Sequence, residues 1–220
     1  MGMPQNLVQV VDAESFSATT HVSRETMERL AQYESLLIKW QRSINLVAKS
    51  TLDSLWQRHM LDSAQLADLA PETARCWVDL GSGGGFPGLV VAILLRDRPG
   101  FEMHLVESDQ RKGIFMREVI RATGAPAEVH TQRIETFARE TELTPDVVSA
   151  RALAPLDRII EWAHPLFGPE TMGLFLKGQG LEDELTSARK GWIFEKTVIP
   201  SLSDPSGSVL QLRGLHGADR

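Results

Sequence analysis

Asp79-Leu-Gly81-Ser-Gly83-Gly84-Gly85-Phe86-Pro87-Gly88 is the stretch of this 220-residue chain where residue types and spacing come closest to chemistry. Glycines between a strand and a helix let the backbone approach a ligand closely. Two ligand classes compete for it. Read as Gly83-x-Gly85-x-x-Gly88 with Glu107 about 20 residues on, the stretch satisfies the dinucleotide fingerprint. Read as Asp-x-Gly-x-Gly-x-Gly, it suits S-adenosylmethionine, because a carboxylate at Asp79 repels a pyrophosphate and attracts an ammonium and a sulfonium. Glu107 serves either ligand, since an acid ending a second strand can accept hydrogen bonds from both ribose hydroxyls. Asp79 tips the reading toward S-adenosylmethionine, and a bare tight turn is a poor account of four glycines within five residues.

The chain has no Asn/Asp-Pro-Pro-Tyr segment of the kind used on exocyclic amines and no Pro-Cys nucleophile of the kind used on pyrimidine carbon-5. An acceptor that already presents a lone pair, such as guanine N7, needs no general base and reacts by in-line displacement once held close. Arg151 ends an expected strand between Ala150 and Ala152, and its planar fork suits a phosphate or a guanine edge equally. Arg111, Lys112, Arg117 and Arg121 share one expected helix, and Arg24, Arg29, Lys39, Arg42, Lys49 and Arg58 lie in the first 60 residues. They amount either to a basic strip for RNA or to an ordinary charged helix surface. Lys177 stands at the ligand edge of the expected sheet. His59 reads equally as a core histidine or as a site residue, with Asp62 one helical turn on.

These residues need a scaffold. From Ser23 to about Arg42, Met27, Leu30, Tyr33, Leu37 and Trp40 recur at helical spacing. A second helix is expected from the capping pair Ser50-Thr51 to Pro71. Residues 1–22 read as a loose arm with little to pack, 23–70 as a helical extension and 71–220 as the ligand-binding domain. From Cys76 onward apolar strands near 76–80, 101–107, 127–131, 146–150 and 173–177 alternate with helices. That pattern predicts an α/β fold with a mostly parallel sheet, closed by an antiparallel hairpin of 192–199 and 208–212. The net charge of −6 argues against non-specific coating of nucleic acid. The longest apolar run, Leu89 to Leu95, is far too short to span a bilayer. With no signal peptide and no myristoylation pattern at Met1-Gly2, a cytoplasmic, membrane-free and monomeric protein is expected. The lone Cys76 permits no internal disulfide, and no metal is expected.

Several spaced motifs together resemble the RsmG (GidB) family of bacterial methyltransferases. They are Asn45-Leu-Val47, Arg58-His-Met-Leu-Asp-Ser63, the glycine stretch with its Phe-Pro-Gly ending, Leu105-Val-Glu-Ser108 with Arg111-Lys112, Gln132-Arg-Ile-Glu135, and Asp146 through Ala150-Arg-Ala-Leu-Ala-Pro155-Leu156. The resemblance implies a class I methyltransferase fold, with a seven-stranded sheet whose last strand is antiparallel. It implies methyl transfer from S-adenosylmethionine to guanine N7 of 16S ribosomal RNA in the small subunit. It further implies that Gly81 and Phe86 contact the cofactor, Glu107 the ribose, and Ile134 and Glu135 the adenine, while Arg151 reaches toward cofactor and acceptor. The Arg111-Lys112 order is inverted relative to the family's usual Lys-Arg. Two other readings stand beside this one: a nicotinamide-dependent oxidoreductase, and a non-enzymatic RNA-binding or ribosome-assembly factor.

Overall fold

A computed structural model describes residues 9–218. The first eight residues, where the arm and the myristoylation reading begin, lie outside the described residues. One sheet of seven strands runs in the order β3-β2-β1-β4-β5-β7-β6. The strands are β1 (Cys76–Leu80), β2 (Glu102–Val106), β3 (Ala127–His130), β4 (Val147–Arg151), β5 (Met172–Lys177), β6 (Trp192–Pro200) and β7 (Ser208–Gly217). β1 to β5 pair in parallel, and β7 is antiparallel to both of its neighbours. The expected parallel sheet with a terminal hairpin is therefore present, and strand order reverses between β1 and β4, the switch point at which an open sheet binds its ligands.

Eight α-helices accompany the sheet among the described residues: α1 (Ala13–Thr20), α2 (Arg24–Gln41), α3 (Asp62–Leu69), α4 (Gly88–Leu94), α5 (Gln110–Thr123), α6 (Ile134–Glu140), α7 (Leu156–Ala163) and α8 (Leu181–Ala188). Ser23 caps α2 by accepting from Thr26 N–H, and Asp109 caps α5 by accepting from Arg111 and Lys112 N–H. Gly113 in α5 has a packing reason, because a Cβ there would lie 2.8 Å from Thr131 Oγ1. On one face of the sheet α1 to α5 share a core with Trp77, Met103 and Leu105; on the other, α6 to α8 pack on Val78, Leu80, Val106 and Phe175. α4 lies between the sheet and the N-terminal helices, so its whole run Leu89 to Ile93 is buried.

Two local expectations change. The loose arm is a helix over Ala13–Thr20 with an Asp12–Ser15 capping box, and Phe16 is fully buried against Trp56 at a ring separation of 5.3 Å. Val10, also fully buried, and its N–H bond to Gln57 dock the arm together with Phe16. The single helix expected after Ser50-Thr51 is instead a 3-10 segment (Lys49–Ser54), a π-helical turn (Trp56–Leu61) and then α3. The wide π turn directs Trp56, His59, Met60 and Leu61 all inward, more adjacent buried positions than an α-helical stripe supplies. Thr51 does not cap it. Its hydroxyl donates to Ala48 O at 2.8 Å and meets His59 Nε2 at 2.7 Å.

Candidate active site

The glycine loop folds back on the sheet through its own amides. Gly81 and Ser82 N–H donate to Val106 O at 2.8 and 3.1 Å, Gly83 N–H to Glu107 Oε2 at 3.0 Å, and Gly85 and Phe86 N–H to Ser82 O. Gly88 N–H, at the start of α4, donates to Asp79 Oδ2 at 3.2 Å. Pro87 has no N–H. Six of the amides that could cradle a pyrophosphate are thus engaged within the protein, and the Asp79 carboxylate already occupies the anion position at the helix start. This geometry disfavours a dinucleotide.

Asp79 itself departs from its expected role. It is fully buried, its Oδ1 accepts from Ser149 Oγ at 2.7 Å, and burial raises its carboxyl to about 6 despite three hydrogen bonds and the distant Arg151 charge that oppose the shift. Placed under the loop, it ties β1, β4 and α4 together and does not line the cavity above them. Its register neighbour in β4 is Ser149, a pairing that only the sheet reveals.

That cavity, of about 550 Å³, lies at the carboxyl ends of β1, β2 and β4. Gly81, Gly83, Phe86, Glu107, Ile134, Glu135, Arg151 and Lys112 all line it, so most of the expected site residues converge. Glu107 is buried and aimed: Oε2 holds Gly83 N–H and Oε1 holds Asp109 N–H at 2.8 Å, leaving lone pairs on both oxygens for a ligand. The cavity joins glycine backbone, apolar walls at Phe86 and Ile134, and acids at Glu107 and Glu135. This set fits an adenosine bearing a short cationic chain. A side chain at Gly81 would be strained at its φ of +66 and would push Leu153 aside, since a Cβ would lie 2.5 Å from Leu153 Cδ1.

Arg151 reaches from the end of β4 over the Phe86 ring, 5.2 Å from its centroid, and donates to Arg58 O at 3.1 Å. It also lines a neighbouring cavity of about 260 Å³ with Arg58, His59, Asp62, Ser201 and Ser203. His59 packs on the same Phe86 ring at 5.0 Å and lines both cavities. Because the Thr51 hydroxyl proton is committed to Ala48 O, His59 Nε2 is the donor, and Nδ1 is left buried without a partner. Burial first, then the charges of Arg151 and Arg58, lower its pKa to about 3. His59 is therefore a neutral wall residue and no base at physiological pH. Sequence spacing left its placement open; the Thr51 contact was invisible to helical periodicity.

The basic residues divide. Arg111 and Lys112 gather with Arg42 and Lys49 around a separate cavity of about 430 Å³ that abuts the first through Lys112. Arg111 is also tied to Ser43 O at 2.8 Å. Arg24, Lys39 and Arg58 are paired with Glu28, Glu118 and Asp204, so the wider strip is broken. Lys177 is held within the fold: its ammonium donates to Ala154 O and pairs with Glu184, and its side chain is only 7% exposed. It fastens β5 to the segments before α7 and within α8, and it lines the cavity of about 260 Å³ beside Arg151. Cys76 is half-buried, and burial pushes its thiol up to about 11, so it remains protonated.

A seven-stranded sheet with β7 antiparallel, a glycine loop after β1 and an acid after β2 define a class I methyltransferase, the class that uses S-adenosylmethionine. Comparison with known proteins narrows the class. The model of the GidB family, rRNA small subunit methyltransferase G, matches residues 26–210, and the chain belongs to that family. It is 71% identical to ribosomal RNA small subunit methyltransferase G of Parvibaculum lavamentivorans, over 99% of this chain and 97% of that one. It is 54% identical to the protein of the same name from Rhodospirillum centenum, over 91% of this chain and 89% of that one. Among solved structures, cofactor-bound Rv0187 from MTB shares the fold at a TM-score of 0.58 and 16% identity, covering 96% of this chain and 98% of that one. A mutant of MtNAS in complex with S-adenosylmethionine does so at 0.54 and 18%, covering 92% and 84%.

Proposed function

We propose that this protein transfers a methyl group from S-adenosylmethionine to N7 of a guanine in 16S ribosomal RNA, acting as a monomer in the cytoplasm. The observation that carries the reading is the 71% identity, over 99% of the chain, to a ribosomal RNA small subunit methyltransferase G. Bound in the cavity above β1 and β2, the cofactor supplies an electrophilic methyl on a sulfonium. Glu107 receives the ribose hydroxyls, Ile134 and Glu135 flank the adenine, and Gly81, Gly83 and Phe86 shape the floor. Asp79 acts from below, holding the loop in place through Gly88 N–H.

Guanine N7 carries its lone pair in the neutral base, so no proton has to be removed before attack. The neutral His59, and an Asp62 carboxylate already engaged by Ser203 and Gln65, agree with a site that positions and desolvates. Arg151, held by Arg58 O and the Phe86 face, orients the acceptor between the two cavities. Lys112 and Arg42, with Lys49, receive RNA phosphates at the cavity mouth. Tritiated S-adenosylmethionine with small subunits from a strain lacking the family enzyme provides the test. Label is expected at one guanine, mapped by cleavage at N7-methylated positions. Arg151→Ala is expected to lower kcat/KM by about 100-fold. Label on another atom, or none on small-subunit RNA, refutes the reading.

A further inference from the structure

The register of β2 and β3 assembles a second chemical cluster that the proposed methyl transfer does not use. His104 stands opposite Glu128 and Val106 opposite His130, so His104, Glu128 and His130 project from one face of the sheet. His104 Nδ1 lies 3.0 Å from His130 Nε2, and one ligand atom from each of the three residues lies within 4.8 Å of the other two. His104 is buried, His130 half-buried and Glu128 exposed, so the cluster opens to solvent along β3, the sheet's edge strand. Glu102, two residues before His104 on the same face, adds a second carboxylate close enough to act on the His104 ring. The other ring nitrogen of His104, Nε2, is buried and has no hydrogen-bond partner.

We propose that His104, Glu128 and His130 bind one divalent transition-metal ion of the zinc type. Two imidazole nitrogens and a carboxylate oxygen are donors that zinc prefers, whereas calcium and magnesium take oxygen ligands. Metal–nitrogen bonds of about 2.0–2.1 Å set two tetrahedral ligands roughly 3.3 Å apart, so only a small ring rotation separates the present histidine pair from a chelating one. Solvent fills the fourth position on the exposed side. Neutral imidazole is the form that ligates. The ion joins β2 to β3 next to the cofactor cavity, because His130 O accepts the Glu107 N–H at 3.1 Å.

The test uses the full chain stripped of metal with EDTA and dialysed. Zinc chloride is titrated by calorimetry, and cobalt chloride by visible absorption, whose intense bands report four-coordination. One ion per chain is expected, together with a zinc-dependent rise in the thermal midpoint. His130→Ala removes a ligand, and Glu128→Gln removes one at an exposed position where the fold is not at risk; each is expected to weaken zinc binding by about tenfold or more. Absence of saturable uptake overturns the proposal. So does an affinity unchanged in either variant, which would place the ion at another group such as Cys76 or His216.

Discussion

His59 sits where a charge is least tolerated, buried against Phe86 with two guanidinium groups near by. Its folded pKa of about 3 lies below the unfolded value near 6.5, so the folded state binds fewer protons over that interval. The stability it permits is complete above about pH 6.5 and is lost as pH falls toward 3. Asp79 slopes the other way: its folded value of about 6 exceeds the unfolded one, so stability rises as pH falls through 6 toward 3.8. Comparing the wild type with His59→Gln cancels the Asp79 contribution. Between pH 7 and pH 5 the wild type is expected to lose about 2 kcal/mol more than the variant, measured by urea unfolding at each pH. Equal losses would show that His59 does not titrate as its burial dictates. That Glu107 and Arg151 line the cavity was legible because their placement follows from ending a strand, which sequence reveals. The contacts of Asp79, Lys177 and His59 were not legible because their partners Ser149, Glu184 and Thr51 are set by register, by packing of α8 and by a non-α turn.

Among the elements, the loop between β1 and α4 shows how spacing becomes constraint. Gly85 has φ +91, and a Cβ there would lie 2.4 Å from Leu89 Cδ1 and 2.7 Å from the Tyr33 hydroxyl. Gly83 also has positive φ, +56, but its Cβ would meet nothing closer than Gly81 O at 3.7 Å. Gly83→Ala is therefore expected to cost folding stability only through the left-handed strain, about 1–2 kcal/mol. Gly85→Ala adds steric displacement of Leu89 and Tyr33 and should cost more in thermal stability. Equal effects of the two would contradict the packing. The Tyr33 hydroxyl donates to Gly84 O, so helix α2 holds the loop from outside the sheet. Tyr33→Phe leaves that carbonyl buried without its donor and is expected to cost about 1–3 kcal/mol, read from denaturant midpoints. The strands and α2 were readable from apolar runs and three-four spacing. The π turn was not, since its period differs from the helical one.

At the scale of the whole molecule the N-terminal helices and the sheet belong to one core, although the sequence suggests an extension followed by a domain. α2 and α3 cover the outward side of α4, whose residues Leu89 to Ile93 have no exposed face to give up. Trp40 Nε1 donates to Glu118 of α5, Val10 N–H donates to Gln57, and Gln57 Nε2 donates to Ser203 O beyond β6, so the ties run across the fold. Composition shift along a chain reports a change of element type; it does not report where burial stops. Phe16 tests this coupling, because it is fully buried at the far end of the chain and packs on Trp56, three residues from His59. Phe16→Ala is expected to lower global stability by about 3–5 kcal/mol. If the core is one cooperative unit, tryptophan fluorescence and far-ultraviolet circular dichroism will report the same midpoint in the variant as in the wild type, both displaced together. An early fluorescence transition with the sheet signal unmoved would mean that the N-terminal helices come away alone, and that the cofactor cavity survives without the wall they provide.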